Sequence, residues 1–287
     1  MNLIDLFNTR IWLLDAAFVE RIHPVIVHLY NKGELNIPSI GEAPERTIDQ
    51  PEDKPQDQVA HVPIWGTMTK RGGMSADGTQ SISNKIQSAN NDDSVVSILL
   101  DIESGGGTVD GMAALGESIK ESRKPVVAYV DQQAGSAAYW AASQADTIVM
   151  NDSNYAKVGS IGALMIHQDS TKLIADKVGK IEIIRAPQSK DKAKVNPVES
   201  LPKSERDIIV NDLEAITDDF ISQVKQGRGD RLNTGDENIF TGKMYGAEEA
   251  YNYGMVDHLG DFKSAVNISR TLGIVAKEAI KNNLISA

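Results

Sequence analysis

The sequence predicts an α/β fold built on a largely parallel sheet. Short apolar runs rich in β-branched residues alternate with helix-period segments after His61, and several runs are apolar at consecutive positions, as strands buried on both faces are. The 287 residues suffice for a large core. Active sites in such sheets gather in the loops at the carboxyl ends of strands.

Taken in order, residues 3–31 carry apolar side chains at roughly helical spacing around Pro24, so residues 1–30 are expected to form a helical arm. Residues 31–58 gather four of the ten prolines (Pro38, Pro44, Pro51, Pro55) with many charges and almost no periodicity, which reads as a linker. The main domain is expected over 59–260. Its apolar runs are 62–65, 95–102, 125–130, 147–150, 163–166 and 181–184, each a predicted strand. Residues 79–90 and 109–123 have helix character; Met112, Leu115 and Ile119 fall at i, i+3 and i+7. A longer stripe, Ile209, Leu213, Ile216, Phe220 and Val224, predicts a long core-facing helix with Ser204 as its N-cap. Helix and strand character returns at 248–260, and a helical tail is expected over 261–287.

Composition narrows the chemistry. Net charge is −11 with dispersed lysines and arginines, which argues against a nucleic-acid surface. There is no cysteine, so disulfides, thiolate metal sites and a cysteine nucleophile are excluded. Residues 11–30 are apolar but interrupted by Asp15, Glu20, Arg21 and two histidines, so neither a membrane span nor a signal peptide is expected. The expectation is a cytoplasmic protein without cofactor or metal.

Four stretches could carry chemistry. Ser136 follows a buried strand and opens a small-residue helix pattern, Ala137 to Ala142. There it can serve as an N-cap or as a nucleophile beside free backbone N–H groups. Gly105-Gly106-Gly107, between a strand and a helix, can turn backbone N–H groups toward a ligand or form a plain turn. Gly159 and Gly162 suggest a tight turn or close backbone approach. Lys190, Lys192 and Lys194 alternate in a polar loop that is solvated, unless one lysine enters an apolar cleft where its lowered pKa lets it accept a serine proton.

From about His61 to Gly260 these stretches, in order, resemble the signal peptide peptidase A (S49) family of serine proteases, especially its phage branch of head maturation proteases. The matching segments are HVPIWGTMTKRGG (61–73), LLDIESGGGTVDG (99–111), KPVVAYVDQQAGSAAYWAASQADTIV (124–149), VGSIGALMIHQDSTK (158–172), KVNPVESLPKSER (194–206) and GKMYGAEEAYNYGMVDHLG (242–260). The resemblance implies a fold like the Clp protease and crotonase superfamily, made of repeated ββα units. It also implies a Ser–Lys dyad, with Ser136 as nucleophile and Lys192, five positions before Pro197, as base. Lys190 and His167 are the alternative bases, and the oxyanion hole falls to Gly106, Gly107 and Ala137.

The function so implied is a serine endopeptidase acting on capsid, scaffold or portal proteins during phage head maturation, in the host cytoplasm or inside the procapsid, as a homo-oligomer. Competing expectations are a cytoplasmic signal-peptide-degrading peptidase of the same family, a non-catalytic assembly protein with the same fold, and a crotonase-like acyl-CoA enzyme.

Overall fold

The computed structural model describes residues 12–14, 57–73 and 76–281, the first three by backbone alone. The sheet has the strand order β2-β3-β5-β6-β9, with β2 spanning Gln58–Trp65, β3 Val95–Ser104, β5 Val126–Gly135, β6 Thr147–Met150 and β9 His258–Leu259. All of these pairings are parallel. Two short strands, β7 (Lys157–Gly159) and β8 (Met244–Gly246), extend it, β7 parallel to β5 and β8 antiparallel to β7. A separate pair joins β1 (Trp12–Leu14) to β4 (Gly106–Thr108) antiparallel. The expected α/β class with a largely parallel sheet is what the structure has.

Period-two alternation distributes the core. Ile98, Leu100 and Ile102 of β3, with Val126, Ala128 and Val130 of β5, face the larger core. Leu99, Val127 and Tyr129 face the opposite one. The larger core is covered by α1 (Thr79–Asn91), α2 (Met112–Lys120), α3 (Ala137–Ser143) and the C-terminal half of α5 (Lys203–Arg228). α7 (Phe262–Lys281) covers the other face through Ala265 and Val266. Two shorter helices complete the set, α4 (Thr171–Lys177) and α6 (Ala247–Asn252). β3, β4 and α2 form one ββα unit. β5 and α3 repeat it with the two strands fused, because residues 127–130 pair with β6 and residues 133–135 with β7.

Several expectations need correction. Residues 163–166 and 181–184 are not strands: Leu164 is an isolated bridge residue and 181–186 have no regular structure. Ile181 and Ile184 are 46% and 89% exposed, and apolar residues without a packed surface have nothing to hold them in a pleat. Ser204 lies inside α5, and Pro202 stands at the cap position with φ −63° and ψ 148°. A proline with a fixed φ and no N–H sets that boundary without a side-chain cap. Of the expected helical arm, Trp12–Leu14 are described, and they form a strand. The rest of the arm and residues 31–56 of the expected linker lie outside the described residues. No helix among the described residues is long and apolar enough to cross a membrane.

Candidate active site

The site forms where β5 ends. After Gly135 the chain turns sharply into α3, and Ser136 takes φ 54° and ψ −120°, a conformation that L-residues rarely adopt. Holding a serine there costs about 1–3 kcal/mol, so the surroundings must enforce it. They do so through the Ser136 N–H, which donates to the Gly159 carbonyl at 2.7 Å, and the Ser136 carbonyl, which accepts from the Trp140 N–H at 2.9 Å. Gly159 lies at φ 127°, and a Cβ on it would stand 2.5 Å from the Lys243 carbonyl oxygen. The next residue, Ser160, repeats the positive φ at 54°, and its N–H donates to Lys243 at 2.9 Å. The close approach expected at Gly159 is thus what fixes the Ser136 turn from β7.

The hydroxyl of Ser136 makes no cap hydrogen bond, which removes the N-cap reading. It is fully buried, and among the described residues Oγ has no hydrogen-bond partner. A buried hydroxyl left unbonded loses its hydration without compensation, a state that Ser136 shares with Thr79 and Thr108. Behind it, α3 is entirely buried: Tyr139 donates to the Met255 carbonyl at 2.9 Å, and Trp140 stacks on Phe220 with centroids 5.0 Å apart. Burial raises the Tyr139 pKa, keeping its hydroxyl a neutral donor.

The glycine turn is held by Ser104, to which the sequence reading gave no role of its own. Ser104 Oγ donates to the Gly66 carbonyl at 2.5 Å and accepts the Gly106 N–H at 3.1 Å. Gly106, at φ 99°, is therefore already committed as a donor. Met68 bridges β4 in parallel at Gly107: its N–H donates to the Gly106 carbonyl, and its carbonyl accepts from the Thr108 N–H, each at 2.9 Å. A Cβ on Gly107 would fall onto the Met68 carbonyl, so glycine is required by this approach. Successive peptides in a strand point to opposite edges, so the Gly107 N–H and C=O face away from Met68. Of the two glycines among the three expected oxyanion donors, Gly107 is the one whose N–H points to the other edge.

The lysine loop is organised around Arg185. Its guanidinium grips Glu199 at 3.0 and 2.6 Å and donates to the carbonyls of Lys192 and Ala193 at 2.5 and 2.9 Å. Asn196, nearly buried, donates to Ala193 at 2.8 Å and to Glu199 at 2.9 Å. Hydrogen bonds from Arg185 and Asn196 hold the Glu199 carboxyl down at about 2. Lys190 and Lys192 are exposed, Lys194 is half-buried, and none bonds to Ser136 Oγ. His167 is half-buried with its Nε2 enclosed and, among the described residues, unpartnered; Ser136 Oγ does not bond to it either. The structure thus brings Ser136 beside the strained β7 turn and, among the described residues, gives it no base within hydrogen-bonding distance. The Arg185–Glu199–Asn196 network also escaped the sequence reading, and a lone Arg and Glu 14 positions apart give no signal of pairing.

No group of three or more potential metal ligands is found among the described residues. A serine on a strained strand-to-helix turn beside a glycine strand is an arrangement compatible with acyl transfer, in which the serine oxygen meets a carbonyl and adjacent amides meet the oxyanion.

Sequence relationships agree with that chemistry. The chain is 30% identical over 199 residues to a protease of Methanocaldococcus jannaschii, covering 69% of this chain and 62% of that one. It is 29% identical to Protease 4 of Haemophilus influenzae, covering 68% of this chain and 31% of the relative. It is 28% identical to Capsid assembly protease C of Escherichia phage lambda, covering 74% and 48%. The chain therefore spans between about a third and three fifths of the length of these relatives. Residues 118–275, more than half of the chain and inclusive of Ser136, β7 and the whole lysine loop, match Peptidase family S49, and the chain belongs to that family.

Proposed function

We propose that the chain is a serine endopeptidase with Ser136 as nucleophile and Lys192 as general base. The observation that carries this reading is the Ser136 turn: a buried, unbonded hydroxyl held at φ 54° and ψ −120° between a parallel strand and a helix. In the reaction, Lys192 accepts the Ser136 proton as Oγ attacks a peptide carbonyl. The N–H groups of Gly107 and Ala137 receive the oxyanion, since Ala137 is a first-turn residue whose N–H has no intrahelical acceptor. Collapse expels the amine, which takes the proton from the lysine, and water then hydrolyses the acyl-enzyme.

The lysine must approach from its solvated turn. Among residues 162–201 only Asn196 is buried, and Val178 and Ile184 are 72% and 89% exposed. A second copy covering that apolar surface would desolvate the loop, which supports a homo-oligomer in which the dyad is completed on assembly. Protein substrates follow from the chemistry. The likeness to the lambda capsid assembly protease supports capsid, scaffold or portal proteins as targets. The likeness to Protease 4 supports the alternative of a cellular peptidase that degrades signal peptides.

Co-expression with a phage major capsid protein, read by mass spectrometry, tests the proposal. Wild type is expected to leave discrete new termini that vanish with Ser136→Ala and with Lys192→Ala. Full cleavage by Lys192→Ala overturns the dyad as assigned. Cleavage of signal peptides alone favours the cellular reading.

A further inference from the structure

β4 has two edges, and both are occupied. Met68 takes the first, through Gly106 and Thr108. The second, to which the Gly107 N–H points, carries β1: Leu14 stands opposite Gly106, Leu13 opposite Gly107 and Trp12 opposite Thr108, antiparallel. The edge that presents the candidate oxyanion donor is therefore filled by a segment of the same polypeptide.

Extended peptides commonly bind by adding a strand to such an edge, the ladder giving affinity and side-chain pockets giving selectivity. Ser136 is 0% exposed in this arrangement, so no substrate carbonyl can reach it without a displacement. The occupying segment, Trp-Leu-Leu, is extended and uncharged.

We propose that Trp12–Leu14 is a pseudosubstrate, holding in cis the strand position that a substrate polypeptide takes, and that the preferred substrate segment is likewise extended and apolar where it faces β4. The proposal rests on the peptidase reading of Ser136 and adds its regulation. A covalently attached strand competes at an effective concentration on the order of millimolar, so a free peptide of micromolar affinity would be largely shut out. Capture of a protein substrate then requires either many contacts or prior removal of the arm from β4.

The test separates this proposal from the peptidase reading by measuring binding without turnover. A fluorescein-labelled peptide of residues 9–17 is titrated into full-length Ser136→Ala and into Ser136→Ala/Leu13→Pro, with anisotropy as the readout. Proline at position 13 removes the N–H opposite Gly107 and breaks the cis ladder. The peptide is expected to bind the double variant about tenfold more tightly, as release of a competing state requires. Leu13→Pro in the active chain should lower KM for an apolar peptide substrate by a similar factor with kcat little changed. Equal affinity within twofold for the two variants, or binding to neither, overturns the pseudosubstrate. Tightened binding with no proteolysis by any form leaves the strand exchange standing and overturns the peptidase.

Discussion

The backbone N–H of Ser136 donates to the Gly159 carbonyl at 2.7 Å, tying the end of β5 to the end of β7. Two positive-φ serines, Ser136 and Ser160, flank that bond. The strain at Ser136 falls where β5 turns into α3.

Replacing Ser136 therefore divides stability from activity. Ser136→Ala retains the strained backbone and loses the oxygen, whereas Ser136→Gly relaxes it. Both are expected to be inactive, with the glycine variant more stable than the alanine variant by about 1 kcal/mol, or roughly 2–4 °C in Tm. Calorimetry of the pair measures this; an alanine variant as stable as the glycine one would mean that the turn is unstrained.

Gly107 is predicted to tolerate no side chain. Its Cβ would collide with the Met68 backbone, so Gly107→Ala must push β4 away from its parallel bridge. A loss of about 1–3 kcal/mol is expected, together with a fall in kcat of roughly 10²-fold or more as the proposed oxyanion donor moves. Denaturant melts and initial rates on one peptide substrate give both numbers.

Arg228, whose side chain is 0% exposed, forms a bidentate pair with Asp257 at 2.9 and 2.7 Å, and Asp257 also accepts the Ile148 N–H at 2.7 Å. Burial works to raise the Asp257 pKa, but the Arg228 hydrogen bonds and charge, with the Ile148 N–H, hold it below the ordinary value. A depressed carboxylate contributes stability above its unfolded pKa near 3.8, and that contribution is lost as pH falls through the lower folded value. Asp257→Asn is expected to cost about 3–5 kcal/mol at pH 7, because it strands a buried guanidinium, and to flatten the stability profile below pH 4. Unfolding curves from pH 3 to 7 check the sign.

Glu199 tests whether the lysine loop needs its shape. Glu199→Gln weakens the clamp on Arg185, which carries the carbonyls of Lys192 and Ala193. A displacement of about 1 Å at a base costs on the order of 10²-fold, so kcat should fall by tenfold or more while Tm stays put, the loop lying outside the core. In the wild type the clamp should persist as pH falls until Glu199 protonates near its lowered value of about 2. Unchanged kcat in Glu199→Gln would detach this loop from catalysis.

What the sequence made legible follows burial. β3 and β5 announced themselves because their residues are apolar on both faces, and α5 because Phe220 and Val224 recur at helical spacing. β4, β7 and β8, at three residues each, are too short for any period to register, and they are the strands that build the site. Ser136 was legible as the small-residue break after a buried strand. Its backbone turn, tied to Gly159, and its unbonded hydroxyl exist only in three dimensions. Ser104 with Gly66, and Arg228 with Asp257, pair across 38 and 29 positions, beyond any local pattern. Three alternating lysines in one solvated turn look alike in sequence, and their choice depends on what covers the loop.

The central claim is that Ser136 is the nucleophile. Incubating the Leu13→Pro protein and wild type with a fluorophosphonate, followed by peptide mapping, tests it most directly. The account predicts one adduct, on the Ser136 oxygen, formed faster in Leu13→Pro and abolished by Ser136→Ala. An adduct on another serine, or undiminished proteolysis by Ser136→Ala, would contradict it.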